Sequence, residues 1–238
     1  MPTIKDLNIK IFADGANVDE MKKVYREGLV SGFTTNPTLM KKDGVTDYVA
    51  FAKNVLSEIS DMPISFEVFT DDFESMERQA KLIGSWGENV YIKIPVTNTK
   101  RESSSELIRK LSGEGYKLNV TAILTTEQVD IVCDALDHDT PAIVSVFAGR
   151  IADTGVDPQP IMRESLEILK KKPKAELLWA SSRELLNIFQ ADACGSHIIT
   201  VTNDLFKKFK MTGMDLSELS LDTVKMFYND AESAGYRF

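Results

Sequence analysis

The amino-acid sequence predicts an α/β fold, a (β/α)₈ TIM barrel in which eight parallel strands alternate with helices. Short runs rich in Val, Ile, Phe and Thr recur along the chain, with longer segments of helical period between them. Eight such runs occur in 238 residues, a length typical of this barrel. No linker, charge run or internal repeat divides the sequence, so we expect one domain over 1–238.

The predicted strands are the apolar runs themselves. In chain order they are Lys10–Ala13, Gly32–Thr35, Ile64–Phe69, Val90–Pro95, Leu118–Leu124, Ala142–Gly149, Glu176–Ser181 and His197–Thr202. The segments between them repeat apolar residues at helical spacing, which predicts helices. Two examples are the sets Met76, Ala80, Leu82, Ile83 and Ile161, Leu166, Ile168, Leu169.

The tail after the last predicted strand, about 204–238, contains a further helical pattern. From Asp215 onward its apolar stripe consists of Leu216, Leu219, Leu221, Val224, Phe227 and Tyr228. The stripe fits a helical extension packed on its own barrel, and it fits almost equally a helix packed on a neighbouring subunit.

Composition and charge exclude several classes of protein. With 43% hydrophobic residues the chain can bury a large core, unlike a disordered tail or a small disulfide scaffold. Its formal charge of −8 repels nucleic acid and anionic lipid, so we expect no nucleic-acid and no membrane partner. Anionic small molecules remain compatible with inward-facing arginines.

Several signals are missing from the sequence. Cys133 and Cys194 match no metal or disulfide spacing, so we expect reduced, buried thiols. The segment Met1-Pro-Thr-Ile-Lys-Asp has no apolar h-region, so we expect no secretory leader, and no run approaches the roughly 18 apolar residues of a spanning helix. We therefore expect a soluble, cytoplasmic protein. No metal or nucleotide cofactor is predicted either, because no metal-ligand spacing, Walker loop or Gly-x-Gly-x-x-Gly motif is present.

Lys93 is the most unusual residue in a predicted strand. Period-2 alternation places it with Tyr91 on one face of the strand, opposite Ile92 and Ile94. Burial is costly for an ammonium group and can lower the pKa of a lysine by up to about 3–5 units. A neutral lysine can form a Schiff base with a carbonyl substrate. A structural ion pair with a carboxylate is the alternative, and this run alone leaves both open.

Polar residues also lie near the ends of four other predicted strands, where such a barrel carries its reactive groups. Asp14 could simply form a turn, Asn36 could cap a helix, and Thr121 has ordinary strand propensity. Glu67 lies in an apolar run, so it should be partly buried and needs a partner. Lys93 on the next strand is a candidate for that partner.

Two arginines, Arg150 and Arg183, follow late strands. Ser181 or Ser182 could cap a predicted helix over Arg183–Gln190, and a helix N-terminus with serine and arginine binds anions well. Phosphate in these barrels usually lies after strands 7 and 8, whereas these residues follow strands 6 and 7. Surface salt bridges are the alternative explanation.

Six motifs taken together resemble the transaldolase family. They are Phe12-Ala-Asp14-Gly, Thr34-Thr-Asn36-Pro, Tyr91-Ile-Lys93-Ile-Pro95, Asn119-Val-Thr121-Ala, Phe147-Ala-Gly-Arg150 and Ala180-Ser181-Ser-Arg183. They cover almost the whole chain in order, one motif per strand. The chain most resembles the short subgroup that also includes fructose-6-phosphate aldolases. The resemblance implies a class I aldolase-like barrel without metal or cofactor, with its Schiff-base lysine on the fourth strand.

The resemblance implies roles for four catalytic residues. Lys93 would form the imine with C2 of a ketose phosphate, and Asp14 would take the C4 hydroxyl proton as the C3–C4 bond breaks. Glu67 and Thr121 would hold the water that serves carbinolamine formation and breakdown.

The resemblance also implies a substrate-binding group. Its members are Thr35, Asn36, Ser145, Phe147, Arg150, Ser181 and Arg183. Asn36 would hold the hydroxyls of the three-carbon unit, and Ser145 aligns with a further contact to that unit. Arg150 and Arg183, with Ser181, would bind the distal phosphate or another anion in its place.

Three positions distinguish transaldolases from the aldolase subgroup. The aldolases resemble a pattern with Gln where this chain has Glu67, Tyr where it has Phe147 and Lys where it has Arg183. Without the tyrosine hydroxyl, the three-carbon enamine should persist until an aldehyde acceptor arrives. We therefore expect a transaldolase of carbohydrate metabolism, in the pentose phosphate pathway. It would transfer a dihydroxyacetone unit from fructose 6-phosphate or sedoheptulose 7-phosphate to an aldose phosphate.

Two alternatives stay open, an aldolase that releases free dihydroxyacetone and, more distantly, a non-catalytic sugar-phosphate-binding barrel. The short members of the family assemble as pentamers and decamers, partly through the C-terminal helix. The resemblance therefore also implies a homo-oligomer, with sugar phosphates as the small-molecule partners.

Overall fold

A computed structural model describes residues 4–237, and its eight strands form a closed parallel barrel. Each strand pairs with the next along the chain, and the last pairs with the first. The strands are Lys10–Asp14 (β1), Gly32–Thr34 (β2), Ile64–Glu67 (β3), Val90–Pro95 (β4), Leu118–Ile123 (β5), Ala142–Val146 (β6), Ala175–Trp179 (β7) and Ile198–Thr202 (β8). The predicted (β/α)₈ barrel is confirmed.

Helices connect the strands and cover the outside of the barrel, except for the last helix, which follows the final strand and has no buried residue. They are Val18–Arg26 (α1), Pro37–Lys42 (α2), Tyr48–Glu58 (α3), Phe73–Gly84 (α4), Ser105–Gly113 (α5), Thr126–Ala135 (α6), Ala148–Asp153 (α7), Gln159–Leu169 (α8), Leu186–Ala193 (α9), Asn203–Phe206 (α10) and Leu216–Ala234 (α11). Many begin at an Asn, Asp or Thr whose side chain accepts a hydrogen bond from the first turn, for example Asn17, Asp72 and Thr125.

The core has two layers because successive strand residues point alternately into the barrel and out toward the helices. The larger layer lies between strands and helices. The smaller layer fills the barrel interior and consists of Phe12, Ile143, Leu178, Ala180 and Ile198, with Tyr91 and Phe147 packed against it. Gly32 makes room for the Phe12 ring, since a Cβ at Gly32 would lie 2.5 Å from that ring. This apolar cluster therefore fills part of the barrel interior by close packing.

Several predicted strands run past the observed ones. The clearest case is Ala142–Gly149, which ends at Val146 because Ala148 and Gly149 already belong to α7. The others are Gly32–Thr35, which ends at Thr34, Ile64–Phe69, which ends at Glu67, Leu118–Leu124, which ends at Ile123, and Glu176–Ser181, which ends at Trp179. Hydrophobicity does not mark these ends, because buried residues such as Ala148 continue into the loops and helices at the barrel mouth.

The predicted helix faces are confirmed with one exception. Met76, Ala80 and Ile83 of α4 are buried, whereas Leu82 is 54% exposed. Leu82 precedes Ile83 by about 100° around the helix, which turns it away from the barrel. In α8, Leu169 is buried, and its partners Ile161, Leu166 and Ile168 pack partly buried against the core.

Almost all of the helix α11 is exposed, and only Leu219 and Ala231 are partly covered. None of its residues is buried, and Leu216, Val224 and Phe227 are 78%, 60% and 63% exposed. Of the two alternatives for this stripe, packing on its own barrel is therefore not supported by the structure. Within residues 4–237, no helix is both long and apolar enough to cross a membrane.

Candidate active site

A cavity of about 460 Å³ opens at the carboxyl ends of the strands. Ten of the predicted site residues line it, namely Asp14, Asn36, Glu67, Lys93, Thr121, Ser145, Phe147, Arg150, Ser181 and Arg183. Only Thr35 is outside the lining, because its hydroxyl is buried and donates to the Ser65 carbonyl at 2.9 Å. The closed barrel brings these distant motifs together, since all parallel strands end on the same rim.

Lys93 and Glu67 form an ion pair inside this cavity. The two residues lie directly opposite each other on β4 and β3, and Lys93 Nζ is 3.3 Å from Glu67 Oε2. The Lys93 side chain is only 8% exposed, and its Nζ also donates to the Thr35 carbonyl at 3.1 Å. The predicted partnership is confirmed, and Thr35 contributes its backbone rather than its side chain.

Asp14 ends β1 and is held by two neighbours. Its carboxylate accepts a hydrogen bond from Thr34 Oγ1 at 2.8 Å and weaker ones from Asn36 Nδ2 at 3.4 Å. Burial raises the pKa of Asp14 above its ordinary value, while Lys93 and the two hydrogen bonds act in the opposite direction. A carboxyl group with a raised pKa is suited to proton transfer in a reaction near neutral pH.

Asn36 has a structural role and also faces the cavity. Its Oδ1 accepts the Leu39 backbone N–H at 3.0 Å and so caps α2, whose first residue is Pro37. Its Nδ2 points toward Asp14 and lines the cavity. The capping interpretation is confirmed, and it leaves the amide nitrogen available to a ligand.

A bulge in β5 shapes the wall beside Lys93. The pairing with β6 shifts between Val120 and Ile123, and Ala122 adopts a left-handed φ of 63°. Thr121 Oγ1 next to it is buried and has no hydrogen-bond partner within the described residues. A buried hydroxyl without a partner costs about 1–3 kcal/mol. Since Thr121 lines the cavity, a bound water or substrate hydroxyl would satisfy it.

Sequence reasoning did not single out a buried polar network below the cavity. Asn119 lies opposite Lys93 in the β4–β5 register, donates to Ser65 Oγ at 2.9 Å and accepts from Ser145 Oγ at 2.7 Å. All three network residues are buried. Period-2 alternation would have found Asn119, because it lies two residues before Thr121 on the same face of β5. The network fixes the rotamer of Ser145.

The two arginines at the rim have different surroundings. Arg183 donates to the Asp153 carboxylate from Nε at 3.2 Å and from Nη2 at 2.5 Å. Arg150 is exposed, lies 5.5 Å over the Phe147 ring and has no ion pair with any residue of 4–237. A surface salt bridge therefore accounts for Arg183 but not for Arg150.

A close backbone contact brings the two arginine segments together. Gly149 N donates to the Ala180 carbonyl at 3.2 Å, and a Cβ at Gly149 would lie 1.6 Å from the Ser181 carbonyl oxygen. Only glycine fits such an approach. Ser181 adopts a left-handed φ of 65°, which costs energy in any residue with a side chain. Arg150 directly follows Gly149, so this contact sets its position relative to the loop after β7.

The predicted helix over Arg183–Gln190 is present, but its predicted start and serine cap are wrong, because α9 begins only at Leu186 and no serine caps it. Ser182 Oγ donates instead to the Thr200 carbonyl at 2.6 Å. Asn187 Oδ1 accepts two backbone N–H groups at the end of the loop. Arg183 is therefore held by a loop anchored to β8, whereas Arg150 lies in the first turn of α7.

Thiols and clusters of metal ligands are two other kinds of group that could take part in the chemistry of such a site. Cys133 and Cys194 are free, buried thiols, as predicted, and lie outside the cavity. In the part of the chain that the structure describes, no group of three or more His, Cys, Asp or Glu side chains is placed to hold a metal ion.

A family model described as transaldolase/fructose-6-phosphate aldolase matches residues 11–237 of this chain. A "Probable transaldolase" of Dehalococcoides mccartyi is 36% identical over 194 residues, which cover 81% of this chain and 86% of that protein. A "Probable transaldolase" of Thermoanaerobacter sp. is 37% identical, with 81% and 85% covered. A "Probable transaldolase 2" of Listeria monocytogenes is 34% identical, with 84% and 88% covered.

Among solved structures, a dihydrodipicolinate synthase of Rhodopseudomonas palustris aligns with a TM-score of 0.49 and 15% sequence identity. The alignment covers 93% of this chain and 80% of that one. A likeness of this size leads to no conclusion about function.

Proposed function

This chain belongs to the transaldolase/fructose-6-phosphate aldolase family, and we propose that it is a transaldolase using a lysine Schiff base. It transfers a dihydroxyacetone unit from a ketose phosphate, fructose 6-phosphate or sedoheptulose 7-phosphate, to an aldose phosphate. The observation that carries the proposal is the buried Lys93–Glu67 pair in the same cavity as Asp14. No cofactor takes part in the proposed reaction.

In the first step Lys93 Nζ attacks the C2 carbonyl of the donor as a free amine. Glu67, whose Oε2 lies 3.3 Å from Nζ, accepts a proton and holds a water together with the unpartnered Thr121 hydroxyl. That water carries protons as the carbinolamine forms and dehydrates to the iminium.

In the second step Asp14 takes the proton of the C4 hydroxyl, and the C3–C4 bond breaks. The bonding electron pair passes into the iminium to give an enamine on Lys93, while the aldose phosphate departs. Burial supports the role of Asp14, since it raises the pKa of this carboxyl toward the pH at which the enzyme operates.

Substrate contacts hold the donor for cleavage. Ser145, fixed by Asn119, and the Asn36 amide lie near the three-carbon unit, and Arg150 with Arg183 binds the distal phosphate at the rim. Binding energy from a phosphate remote from the reacting bond is used to orient the sugar.

Phe147 favours transfer over release of the three-carbon unit. Its ring packs against the barrel-interior cluster beneath Arg150 and presents no hydroxyl that could deliver a proton to the enamine. The enamine therefore waits for an aldehyde acceptor. The competing candidate is an aldolase that releases free dihydroxyacetone.

The test is the release of glyceraldehyde 3-phosphate from fructose 6-phosphate, with and without erythrose 4-phosphate as acceptor. Release that depends on the acceptor supports the transaldolase. Release without acceptor favours the aldolase. The proposal is wrong if neither fructose 6-phosphate nor sedoheptulose 7-phosphate gives a product and if borohydride traps no imine of either sugar on Lys93.

We also propose that the protein is a homo-oligomer, a pentamer or decamer as in the short family members. The support is the apolar stripe of α11, which has no buried residue within its own described chain. A second cavity of about 920 Å³ with a largely apolar lining, including Val45, Tyr48 and Phe69, lies beside the active site. A stripe of this kind is stable in water when another copy covers it.

A further inference from the structure

Asp153 is the last residue of α7, three residues after Arg150. Its two carboxylate oxygens accept separate hydrogen bonds from Arg183, Oδ1 from Nε at 3.2 Å and Oδ2 from Nη2 at 2.5 Å. Such a two-point contact fixes both the position and the plane of a guanidinium. The pair is half exposed, at 49% for Arg183 and 53% for Asp153, so solvent reaches the remaining donors.

The contact occupies only one edge of the Arg183 guanidinium. A guanidinium has five N–H donors, so both Nη1 donors and the second Nη2 donor remain available to an anion. The base of the side chain lies close to Gly149, where a Cβ would come within 3.4 Å of Arg183 Cγ. The Arg183 guanidinium is therefore held in one orientation and still has free N–H donors for an anion.

Arg150 has no such ion-pair partner among the described residues, and its guanidinium lies over the face of the Phe147 ring. One arginine of the pair is thus fixed before a ligand arrives, and the other is free to adjust. An arginine ordered in advance loses less conformational entropy when an anion binds.

We propose that Asp153 is a positioning residue that holds the Arg183 guanidinium across the cavity mouth and thereby sets the preference for phosphorylated substrates. The inference rests on the proposed function, because the anion is the distal phosphate of the donor. Nothing in the reaction passes through Asp153 itself.

If Asp153 acted through its charge alone, the Asp153→Asn change would strengthen phosphate binding rather than weaken it. Asp153 is negative and close to the anion, so by Coulomb repulsion its neutralisation in Asp153→Asn would tighten phosphate binding. As a positioning residue it acts the other way. Asn offers one acceptor instead of two and turns an N–H₂ group toward Arg183, so the guanidinium loses its fixed orientation.

The first experiment measures binding of inorganic phosphate to the full-length protein by calorimetry. We expect Asp153→Asn to weaken binding roughly tenfold, the size expected for a hydrogen bond to a charged group. Glu184→Gln is the matched control, since it removes one exposed negative charge beside Arg183 that has no ion pair within residues 4–237. It should bind as the unaltered protein does, or slightly tighter.

Three results of this experiment would overturn the proposal. They are tighter binding in Asp153→Asn, unchanged binding in Asp153→Asn, and no phosphate binding by the unaltered protein. Because no turnover is involved, the comparison decides the role of Asp153 even if the proposed transaldolase activity is absent.

The second experiment is kinetic. In Asp153→Asn the KM for fructose 6-phosphate should rise about tenfold with a much smaller change in kcat, while Asp153→Glu restores part of the loss. In an Arg183→Ala background the Asp153→Asn change should have no further effect, because the two residues act as one unit. Additive losses, or a loss mainly in kcat, would contradict a positioning role.

Discussion

Lys93 Nζ lies 3.3 Å from Glu67 Oε2 in the barrel interior, and the two residues face each other in the register of β4 and β3. A charge pair so deeply placed is weak evidence for stability, because desolvation offsets much of the attraction between the charges. The pair lies in the cavity that also contains Asp14, and this location supports a role in the reaction rather than in stability.

Lys93→Met should abolish turnover and leave the fold intact. Met retains the length and apolar body of the side chain but has no amine to form the imine. Borohydride reduction in the presence of donor should add the mass of the three-carbon unit to the unaltered protein and not to the variant. Lys110→Met, on the surface of α5, is the control and should retain full activity. Retained turnover in Lys93→Met would rule out the imine mechanism.

Phe147→Tyr should increase donor cleavage without acceptor. The added hydroxyl would lie at the cavity wall and could help water protonate the enamine, so that dihydroxyacetone leaves. The measurement is glyceraldehyde 3-phosphate release with no aldehyde present. If that rate does not change, residues other than Phe147 set the partition between transfer and release.

Thr34→Val should move the acid limb of the kcat/KM profile to higher pH. Burial raises the pKa of Asp14, and the Thr34 hydrogen bond counteracts this by favouring the carboxylate. Without that hydrogen bond the pKa rises further, so the base is lost at a higher pH. An acid limb that stays in place or moves to lower pH would contradict this role of Thr34.

Asp14→Asn should stabilise the protein at neutral pH while eliminating cleavage. A carboxyl whose pKa is raised by folding binds protons more strongly in the folded state, so stability falls as pH rises from its unfolded to its folded pKa. The neutral Asn removes that loss. Thermal unfolding at pH 7 and at a pH below the unfolded value of 3.8 should show a gain only at pH 7.

Gly149→Ala should destabilise the fold by about 1–3 kcal/mol and raise the KM for phosphorylated donors. Its Cβ would lie 1.6 Å from the Ser181 carbonyl, so the loop bearing Arg183 must move. Gly113→Ala, also helical but with nothing within 4 Å, is the matched control and should be neutral or stabilising. Equal stability of the two variants in urea unfolding would show that the Gly149 contact is unimportant.

Phe227→Glu should reduce the oligomer measured by light scattering after gel filtration. Phe227 is 63% exposed on α11, and a charge in its place would be costly at a covered interface. Asn229→Glu changes the opposite face of the same helix and should leave the mass unchanged. A protein that is monomeric without any substitution would contradict the proposed assembly.

The sequence by itself determined the architecture and the approximate place of the site. Short apolar runs marked all eight strands, and parallel strands joined by helices close into a barrel with their carboxyl ends on one rim. Polar residues at the ends of different strands, such as Asp14 on β1 and Lys93 on β4, therefore had to converge. This follows from topology, without knowledge of any distance.

The Lys93–Glu67 pair was predicted from the sequence, but only the tertiary structure decided the other contacts at the site. The Asp153 contact with Arg183, the Asn119 network and the approach of Gly149 to Ser181 all join segments far apart in the chain or in neighbouring strands. The sequence also did not decide where α11 packs, because an apolar stripe indicates that some surface covers it but not which one. The physical reason is the same in each case: local pattern specifies the face on which a side chain lies, whereas the packing of the whole chain specifies which group meets it.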